Sequence, residues 1–342
     1  MTDLRKERQS NIELLRLVAI FMVLIVHADF LSLDVPTKDF VHNAPIASFA
    51  RFLFQALSIV CVNVFVLISG WFGIHSTKNG FLKLLFQCVF FYVGIYIVML
   101  LTGAIEFSLN GVADSLLFTD TGWFVKSYIL LYILAPVLNV FIENSNASEI
   151  RRVLIFFFLF QSLFGFLSDG AAFFENGYST ISFIGLYLLA RYLKTSQSKL
   201  LSYPPHLYVI VYSSISLFMA LTATVSTYIT GFQFQRLFTY TNPLVILNSL
   251  CLLLCFLKFR FYSNVVNWLA ASAFSIYIFH TNTNIFLPYF VHNVKYIYNT
   301  FYGIHFLLIL LLFLLLVSII AIFLDKIRIY IWNVISKKSQ KI

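Results

Sequence analysis

The chain has 342 residues, of which 60% are hydrophobic and only 11% are charged, and its mean hydropathy is +0.88. Soluble globular domains carry about 25% charged residues, so this composition excludes them and predicts an integral membrane protein. The net charge of +9 would suggest a nucleic-acid partner in a soluble protein. In a membrane protein it indicates basic cytoplasmic loops instead, so no nucleic acid is expected.

Hydropathy predicts an all-α, polytopic protein with ten spans in one membrane-embedded domain, residues 1–342. A spanning helix needs about 20 apolar residues. The predicted spans are residues 11–31, 47–72, 81–103, 123–142, 153–168, 178–193, 206–228, 243–260, 265–287 and 302–324. No connection exceeds about twenty residues, which argues against an appended soluble domain.

Basic residues predict the orientation of these spans. With a cytoplasmic N-terminus, the outside loops hold only Lys38, Arg236 and Lys295, and the inside segments hold 17 of the 23 basic residues. Those 17 are Arg5, Lys6, Arg8, Lys78, Lys83, Arg151, Arg152, Arg191, Lys194, Lys199, Lys258, Arg260, Lys326, Arg328, Lys337, Lys338 and Lys341. Lys and Arg accumulate in cytoplasmic loops, so both termini are expected in the cytoplasm and the location in the cell membrane.

The first span is largely apolar, yet it carries Glu13, Arg16 and His27. At about 100° per residue, all three fall on one stripe, with His27 about 16 Å beyond Arg16. A charge at mid-bilayer costs at least about 2.5 kcal/mol, so the stripe should face protein or a watery cavity. These residues are the predicted catalytic group, with His27 as base or as carrier of a transferred group.

His280 lies about 15 residues into another outward-running span, at a depth similar to that of His27. Two histidines at one level would line a single cavity. The alternative is an interfacial histidine beside the external loop.

Residues 122–139 carry further polar candidates. Trp123 suits an aromatic belt at the outer interface. Tyr128 lies on one helix face with Tyr132. Lys126 lies one turn below the surface, where snorkelling explains it equally well. Trp123, Lys126, Tyr128 and His280 are the candidate site residues toward the outer side.

Ser69, Lys78 and Lys83 lie near the predicted inner face, where the two lysines could hold phosphates. A basic inner loop has an ordinary topological explanation as well. The sequence contains no motif of a phosphate cradle, a zinc protease or a dinucleotide enzyme, so no metal and no bound cofactor are expected.

Five segments in order resemble the type-3 membrane acyltransferases, in the branch that acetylates bacterial surface polysaccharides. They are NIELLRLVAIFMVLIVH, FVLISGWF, GWFVKSYILLYILAPVLN, SFIGLYLLARYL and ASAFSIYIFH. The resemblance covers nearly the whole chain and implies ten spans. The chain departs from it at STKNGFLKLLFQ, where family members often carry an arginine pair and this sequence has only Lys78 and Lys83. Lysine meets phosphate as a point charge and lacks the two-pronged geometry of arginine.

The resemblance implies an O-acetyltransferase, with acetyl-CoA as co-substrate and a hydroxyl of a glycan or lipid-linked saccharide as acceptor. On this account the candidate donor-binding residues are Arg16, Ser69, Lys78 and Lys83, and the candidate acceptor-binding residues are Trp123, Lys126, Tyr128 and His280. Membrane lipids surround the protein. Two other classes stay open: a transporter or flippase of a lipid-linked glycan, whose interior charges would line a path, and a glycan polymerase. The sequence shows no paired halves with matching interrupted helices. Such halves are common in transporters, so their absence from the sequence argues against that class. The sugar, the acyl group, the side of transfer and the oligomeric state are not determined.

Overall fold

The computed structural model describes residues 8–168 and 171–339, without the side chains of residues 337–339. Helices make up 81% of the structure, and no strand occurs in those two ranges. The predicted all-α fold class is therefore confirmed. Among the basic residues used to predict orientation, Arg5, Lys6 and Lys341 lie outside the described residues, as do the side chains of Lys337 and Lys338.

The described ranges hold a succession of α-helices joined by short turns. They are α1 Ser10–Val26, α2 Lys38–Asn43, α3 Pro45–Ser58, α4 Cys61–Phe72, α5 Lys78–Leu101, α6 Leu109–Ser115, α7 Trp123–Asn144, α8 Ala147–Gln161, α9 Thr180–Thr195, α10 Pro205–Thr230, α11 Pro243–Phe256, α12 Asn264–Ala270, α13 Ala273–His280, α14 Thr283–Ile285, α15 His292–Thr300 and α16 Gly303–Ser339. Segments His27–Leu31, Ser162–Leu167 and Phe286–Val291 are π-helical, and Ala172–Gly177, Lys199–Leu201 and Gln235–Phe238 are 3₁₀ turns.

Eight helical segments of the described chain are long and apolar enough to cross a membrane. They are Ser10–Leu31, Pro45–Phe72, Lys78–Leu101, Trp123–Asn144, Ala147–Leu167, Pro205–Thr230, Gln235–Phe256 and Gly303–Ser336. Each overlaps one predicted span. Of the other two predicted spans, 178–193 corresponds to the 16-residue helix α9, and 265–287 is divided among α12, α13, α14 and a π-helical segment. The chain is a multi-pass membrane protein, and ten spans with cytoplasmic termini stay a prediction.

Large apolar side chains point away from the helical bundle. On α16, Leu312, Ile319 and Phe323 are each more than 60% exposed. A contiguous apolar surface of this kind is rare on soluble proteins, where it drives association. Hydrocarbon is the environment in which such a surface is stable, which agrees with the membrane assignment.

Helix α1 lies inside the bundle and packs against α3, α4, α11, α12 and α13. Leu15, Ala19 and Val23 follow one another at four-residue steps and are all buried. Residues four apart lie on one helix face, so this row forms the packing face of α1. The helix that carries Glu13, Arg16 and His27 is therefore held by protein on several sides.

The Ser-Gly motif of α4 packs against α9. A side-chain carbon at Gly70 would collide with the backbone carbonyl of Tyr187, so glycine is needed for this close approach. The helix itself ends two residues later, at Phe72, where Gly73 adopts a φ of +77°. Gly70 therefore positions Ser69 by packing, whereas Gly73 terminates the helix.

Helix geometry changes at both histidines. His27 follows the last residue of α1 and begins a π-helical turn to Leu31. His280 is the last residue of α13. Wider turns and helix ends leave backbone groups available to side chains, and π-helical turns occur often at functional sites.

Candidate active site

The two histidines singled out in the sequence meet in the fold. Nδ1 of His27 lies 2.9 Å from Nε2 of His280, although 253 positions separate them in the chain. The ring centroids are 5.0 Å apart. His280 is fully buried, and His27 is half-buried. Packing of α1 against α13 produces this contact.

Hydrogen-bond partners determine which ring nitrogens carry hydrogen. Nδ1 of His280 lies 2.6 Å from the carbonyl oxygen of Ile276. A carbonyl only accepts, so His280 carries its hydrogen on Nδ1, and its Nε2 is the acceptor when the ring is uncharged. Nδ1 of His27 must then donate to His280. The remaining nitrogen of an uncharged His27, Nε2, is left with a lone pair.

The π-helical turn after His27 is tied to the next helix. The hydroxyl of Ser32 donates to the carbonyl oxygen of His27 at 2.7 Å. Two residues past His27, the carboxylate of Asp29 accepts from Nε of Arg51 at 2.6 Å. Arg51 also donates to the carbonyl oxygen of Asp34. This ion pair anchors the turn that carries His27 to α3.

Glu13 and Arg16 form an ion pair at the other end of α1. Nη1 of Arg16 lies 3.1 Å from Oε1 of Glu13, and a third of the Arg16 side chain stays exposed while only 8% of the Glu13 side chain does. The Arg16 guanidinium also lies 5.9 Å from the ring centroid of Phe72, the last residue of α4. Arg16 thus has a fixed partner and an accessible surface.

Tyr128 and Tyr132 on α7 bind groups near the end of α4. The hydroxyls of Tyr128 and Ser69 are 3.2 Å apart. The hydroxyl of Tyr132 accepts from the backbone N–H of Thr77 at 3.2 Å. One face of α7 therefore follows the connection between α4 and α5, as the four-residue spacing of the tyrosines allows.

Asn139 continues the same face of α7. Its amide donates to the carbonyl oxygen of Ile74 at 3.0 Å and accepts from the hydroxyl of Tyr187 at 2.7 Å. The Tyr187 hydroxyl in turn accepts from the backbone N–H of Ile74 at 3.0 Å. Asn139 and Tyr187 together hold the loop that follows α4, which is a positioning role.

Lys126 and Trp123 lie at the start of α7. The ammonium of Lys126 donates to the carbonyl oxygen of Thr119 at 2.6 Å, so it stabilises the loop before the helix. The ring of Trp123 lies 4.4 Å from that of Tyr178, edge to face. Neither side chain touches the histidine pair directly.

Aromatic contacts nevertheless connect Trp123 to His280. Ring centroids are 5.8 Å apart for Trp123 and Phe124, 5.0 Å for Phe124 and Tyr277, and 6.0 Å for Tyr277 and His280. The structure thus brings His27 and His280 together at one point, Tyr128 and Ser69 at another, and Arg16 with Glu13 at a third.

The family follows from comparison with known proteins. The model of an acyltransferase domain, that of the type-3 acyltransferases, matches residues 9–326. The chain belongs to this family. No similarity was found to a curated protein or to a solved structure.

In this membrane acyltransferase, Lys78 and Lys83 are both exposed at the start of α5. Lys83 interacts electrostatically with a further ion pair, between Asp325 and Arg328 on α16, and with Arg8. This pair lies in the first turn after residue 324, the predicted end of the last span. It is still helical there, because α16 continues to Ser339.

The Asp325–Arg328 pair is fully buried. Oδ1 of Asp325 accepts from Nη2 of Arg328 at 2.6 Å and from the hydroxyl of Ser275 at 2.6 Å. The amide of Gln87 donates to the Ser275 hydroxyl at 2.6 Å. These contacts join α16, α13 and α5, and Ser275 lies on the same short helix as His280.

A cleft of about 420 Å³ opens near the start of α1. Its wall includes Lys194, Lys258 and Arg260 together with Trp71. The ammonium of Lys194 lies 5.6 Å from the ring centroids of both Trp71 and Phe72. Arg16 on α1 also lies near the ring of Phe72. Lys194 in the cleft wall and Arg16 on α1 therefore contact the same ring. This volume is within the range of small-molecule sites.

Several of these residues were not selected from the sequence. Asp29 and Arg51 fall within predicted spans, where an ionisable residue is itself a signal of a site. Lys194, Lys258 and Arg260 were counted only for topology, and their convergence depends on packing of elements far apart in the chain. Asp325 lies just beyond a predicted span end, where hydropathy does not distinguish buried from solvated charge.

Proposed function

We propose that this acyltransferase moves an acetyl group from a cytoplasmic acyl-CoA to a hydroxyl of a bacterial surface glycan or its lipid-linked precursor. The observation that carries the proposal is the contact between His27 and His280, since it leaves Nε2 of His27 with a lone pair. Histidine is the commonest general base, and an uncharged imidazole nitrogen with a lone pair can accept a proton. Membership of the family supports acyl transfer as the reaction. The resemblance of the motifs supports an acetyl donor and a glycan acceptor.

In the direct route, the acceptor hydroxyl oxygen attacks the thioester carbonyl carbon while Nε2 of His27 takes the hydroxyl proton. The bond between that carbon and sulfur then breaks, and the coenzyme A thiolate takes the proton back from His27. His280 acts through its neighbour. Its Nε2 accepts from the Nδ1–H of His27, which orients the ring and stabilises the positive charge that forms on it.

In the relay route, Nε2 of His27 attacks the thioester carbonyl carbon, the carbon–sulfur bond breaks and the coenzyme A thiolate leaves. The acceptor hydroxyl oxygen then attacks the acyl carbon on His27, the bond from that carbon to Nε2 breaks, and the hydroxyl proton goes to the thiolate. The same lone pair serves both routes. An acyl-enzyme trapped by hydroxylamine would distinguish the relay, because the direct route forms no covalent intermediate.

The donor's charged end is assigned to the Arg16 end of α1. Arg16 lies about 16 Å along the helix from His27, a separation that a long, thin coenzyme arm would bridge. The cations of the cleft, Lys194, Lys258 and Arg260, support a ligand with phosphate groups. The Ser69 and Tyr128 hydroxyls, 3.2 Å apart, are candidates to contact the thioester.

For the acceptor, the proposal relies on the start of α7. Trp123 and the partly exposed Tyr178 offer aromatic faces on which a sugar ring can stack. Lys126 keeps the loop before them in place.

The test uses substitutions at His27. His27→Ala should lower acetyl transfer from acetyl-CoA by about 10²–10⁴-fold, the usual effect of losing a general base, while protein abundance and donor binding stay near normal. His27→Gln keeps a hydrogen bond but neither titrates nor carries an acyl group. Full activity in His27→Gln would remove His27 from the mechanism.

The acceptor class is tested on cells. Nuclear magnetic resonance of surface glycan should contain an O-acetyl signal that is lost with His27→Ala. The purified protein should hydrolyse acetyl-CoA slowly without acceptor, which a flippase would not do. Absence of both signals would favour the flippase.

Orientation is tested separately. A reporter fused after Ile342 should be active only if it works in the cytoplasm, because the distribution of basic residues predicts both termini inside. Activity of a periplasmic reporter at that position would reject the ten-span topology and the cytoplasmic donor.

A further inference from the structure

A small enclosed cavity lies beside the histidine pair. It has a volume of about 20 Å³ and is lined by Val23, Val62, Phe65, Phe124, Phe274 and Tyr277. Val23 is one helical turn before His27. Tyr277 is three residues before His280, and the ring centroids of Tyr277 and His280 are 6.0 Å apart. Two walls of the cavity therefore belong to the helices that bring the histidines together.

The other two helices in the cavity wall, α4 and α7, carry the hydroxyls of Ser69 and Tyr128. Ser69 lies one turn after Phe65 on α4, and its hydroxyl donates to the Phe65 carbonyl oxygen at 3.0 Å. Tyr128 lies one turn after Phe124 on α7, and these two rings stack at 6.0 Å. The cavity is thus bounded by the helices that lead to His27 and His280 and by those that carry Ser69 and Tyr128.

The volume and lining of the cavity restrict what it can hold. One water-sized sphere needs about 10–15 Å³, and a water also needs two to four polar partners. No polar atom among the described residues lines this space. A methyl group fits it in both size and chemistry, whereas a longer alkyl chain would have to displace packed rings.

An empty cavity in a core destabilises a fold, because the surrounding atoms lose packing contacts. Four different helices converge here with valine and aromatic side chains, and three lining residues lie one helical turn from His27, Ser69 and Tyr128. The position, rather than the void alone, points to a substrate.

We propose that this cavity receives the methyl group of the donor's acetyl group and so limits the acyl chain to two carbons. This inference rests on the proposed function, since it concerns the same histidine and the same thioester. It adds the feature that selects acetyl over longer acyl groups. The wall residue Val62 is buried on α4, a helix that carries neither histidine.

The experiment compares acetyl-CoA with propionyl-CoA as donors. One extra methylene in a tight apolar pocket typically costs about 10- to 200-fold in kcat/KM, so the unaltered protein should prefer acetyl-CoA by at least tenfold. Val62→Ala enlarges the cavity and should raise the propionyl-to-acetyl ratio about tenfold. The matched control is Val66→Ala, at a fully buried valine one turn along the same helix that does not line the cavity. The control should leave the ratio unchanged.

A second variant acts in the opposite direction. Val62→Ile adds one methyl group to the void, so it should keep or raise the melting temperature while lowering kcat/KM for acetyl-CoA about tenfold. This result stands even where Val62→Ala fails to fold. Unchanged acetyl transfer in Val62→Ile, equal ratios in Val62→Ala and Val66→Ala, or equal use of both donors by the unaltered protein would each overturn the inference while leaving acyl transfer intact. Failure of the unaltered protein to use any acyl-CoA would overturn the proposed function itself.

Discussion

Two ion pairs in this protein have the same sequence spacing and opposite environments. Glu13 and Arg16 on α1 are three residues apart, as are Asp325 and Arg328 on α16. The Arg16 side chain is 33% exposed, whereas the Arg328 side chain is 2% exposed. A spacing that brings acid and base together on a helix therefore does not decide what the pair is for.

The difference lies in what each arginine can still contact. Asp325 accepts hydrogen bonds from Ser275 and Arg328, and Ser275 accepts one from Gln87. These contacts join α16, α13 and α5 inside the bundle. Arg16 faces the side of α4 where cations continue into the cleft. A buried pair with further hydrogen bonds supports the fold, whereas a half-exposed pair near a cleft is open to a ligand.

The largest expected effect is on stability, at the buried pair. Arg328→Ala leaves Asp325 buried without its counter-charge, which typically costs about 3–5 kcal/mol. Folded protein should fall sharply, measured as monodisperse protein and melting temperature in detergent. Arg16→Ala should change stability by at most about 1 kcal/mol, because its pair is partly solvated.

A double substitution sharpens this contrast. Arg328→Met with Asp325→Leu replaces the buried pair by apolar groups of similar size, which is often neutral or stabilising. Recovery of folded protein is expected. Equal loss in the single and double variants would mean that the charges act on something other than the fold.

The next effect is on the donor, at the exposed pair. Arg16→Gln should raise the KM for acetyl-CoA about 10- to 100-fold, since a hydrogen bond to a charged group contributes about 1.5–3 kcal/mol. Lys78→Ala and Lys83→Ala serve as controls and should change it less than about threefold, as both are exposed. The reverse pattern, with the lysine changes severe and Arg16→Gln silent, would place the donor at the start of α5.

The smallest effect concerns the cleft. Lys194→Gln with Arg260→Gln should raise the KM for acetyl-CoA about two- to fivefold, because exposed charges each contribute less than about 1 kcal/mol. Added salt should weaken donor use in the unaltered protein and much less in this variant. Lys199→Gln, an exposed lysine outside the cleft wall, is the control. An identical salt response in all three proteins would separate the cleft from the donor.

Much of the fold and part of the site were predictable from local pattern. Long apolar runs predict membrane helices because hydrocarbon leaves backbone groups no partner outside a helix. Glu13, Arg16 and His27 were recognisable because ionisable residues inside a span are costly and therefore rare. Helix periodicity then placed them on one stripe of α1.

Tertiary packing decided the rest. Periodicity gives the face on which a residue lies but not the helix that this face meets, so the contact between His27 and His280 follows only from how α1 and α13 pack. The same holds for the void enclosed by four helices and for the exposure that separates Arg16 from Arg328. The sequence by itself determined a membrane helical protein with a charged stripe, and only the packed structure determined which of its charges are accessible, since burial is a property of neighbours distant in the chain.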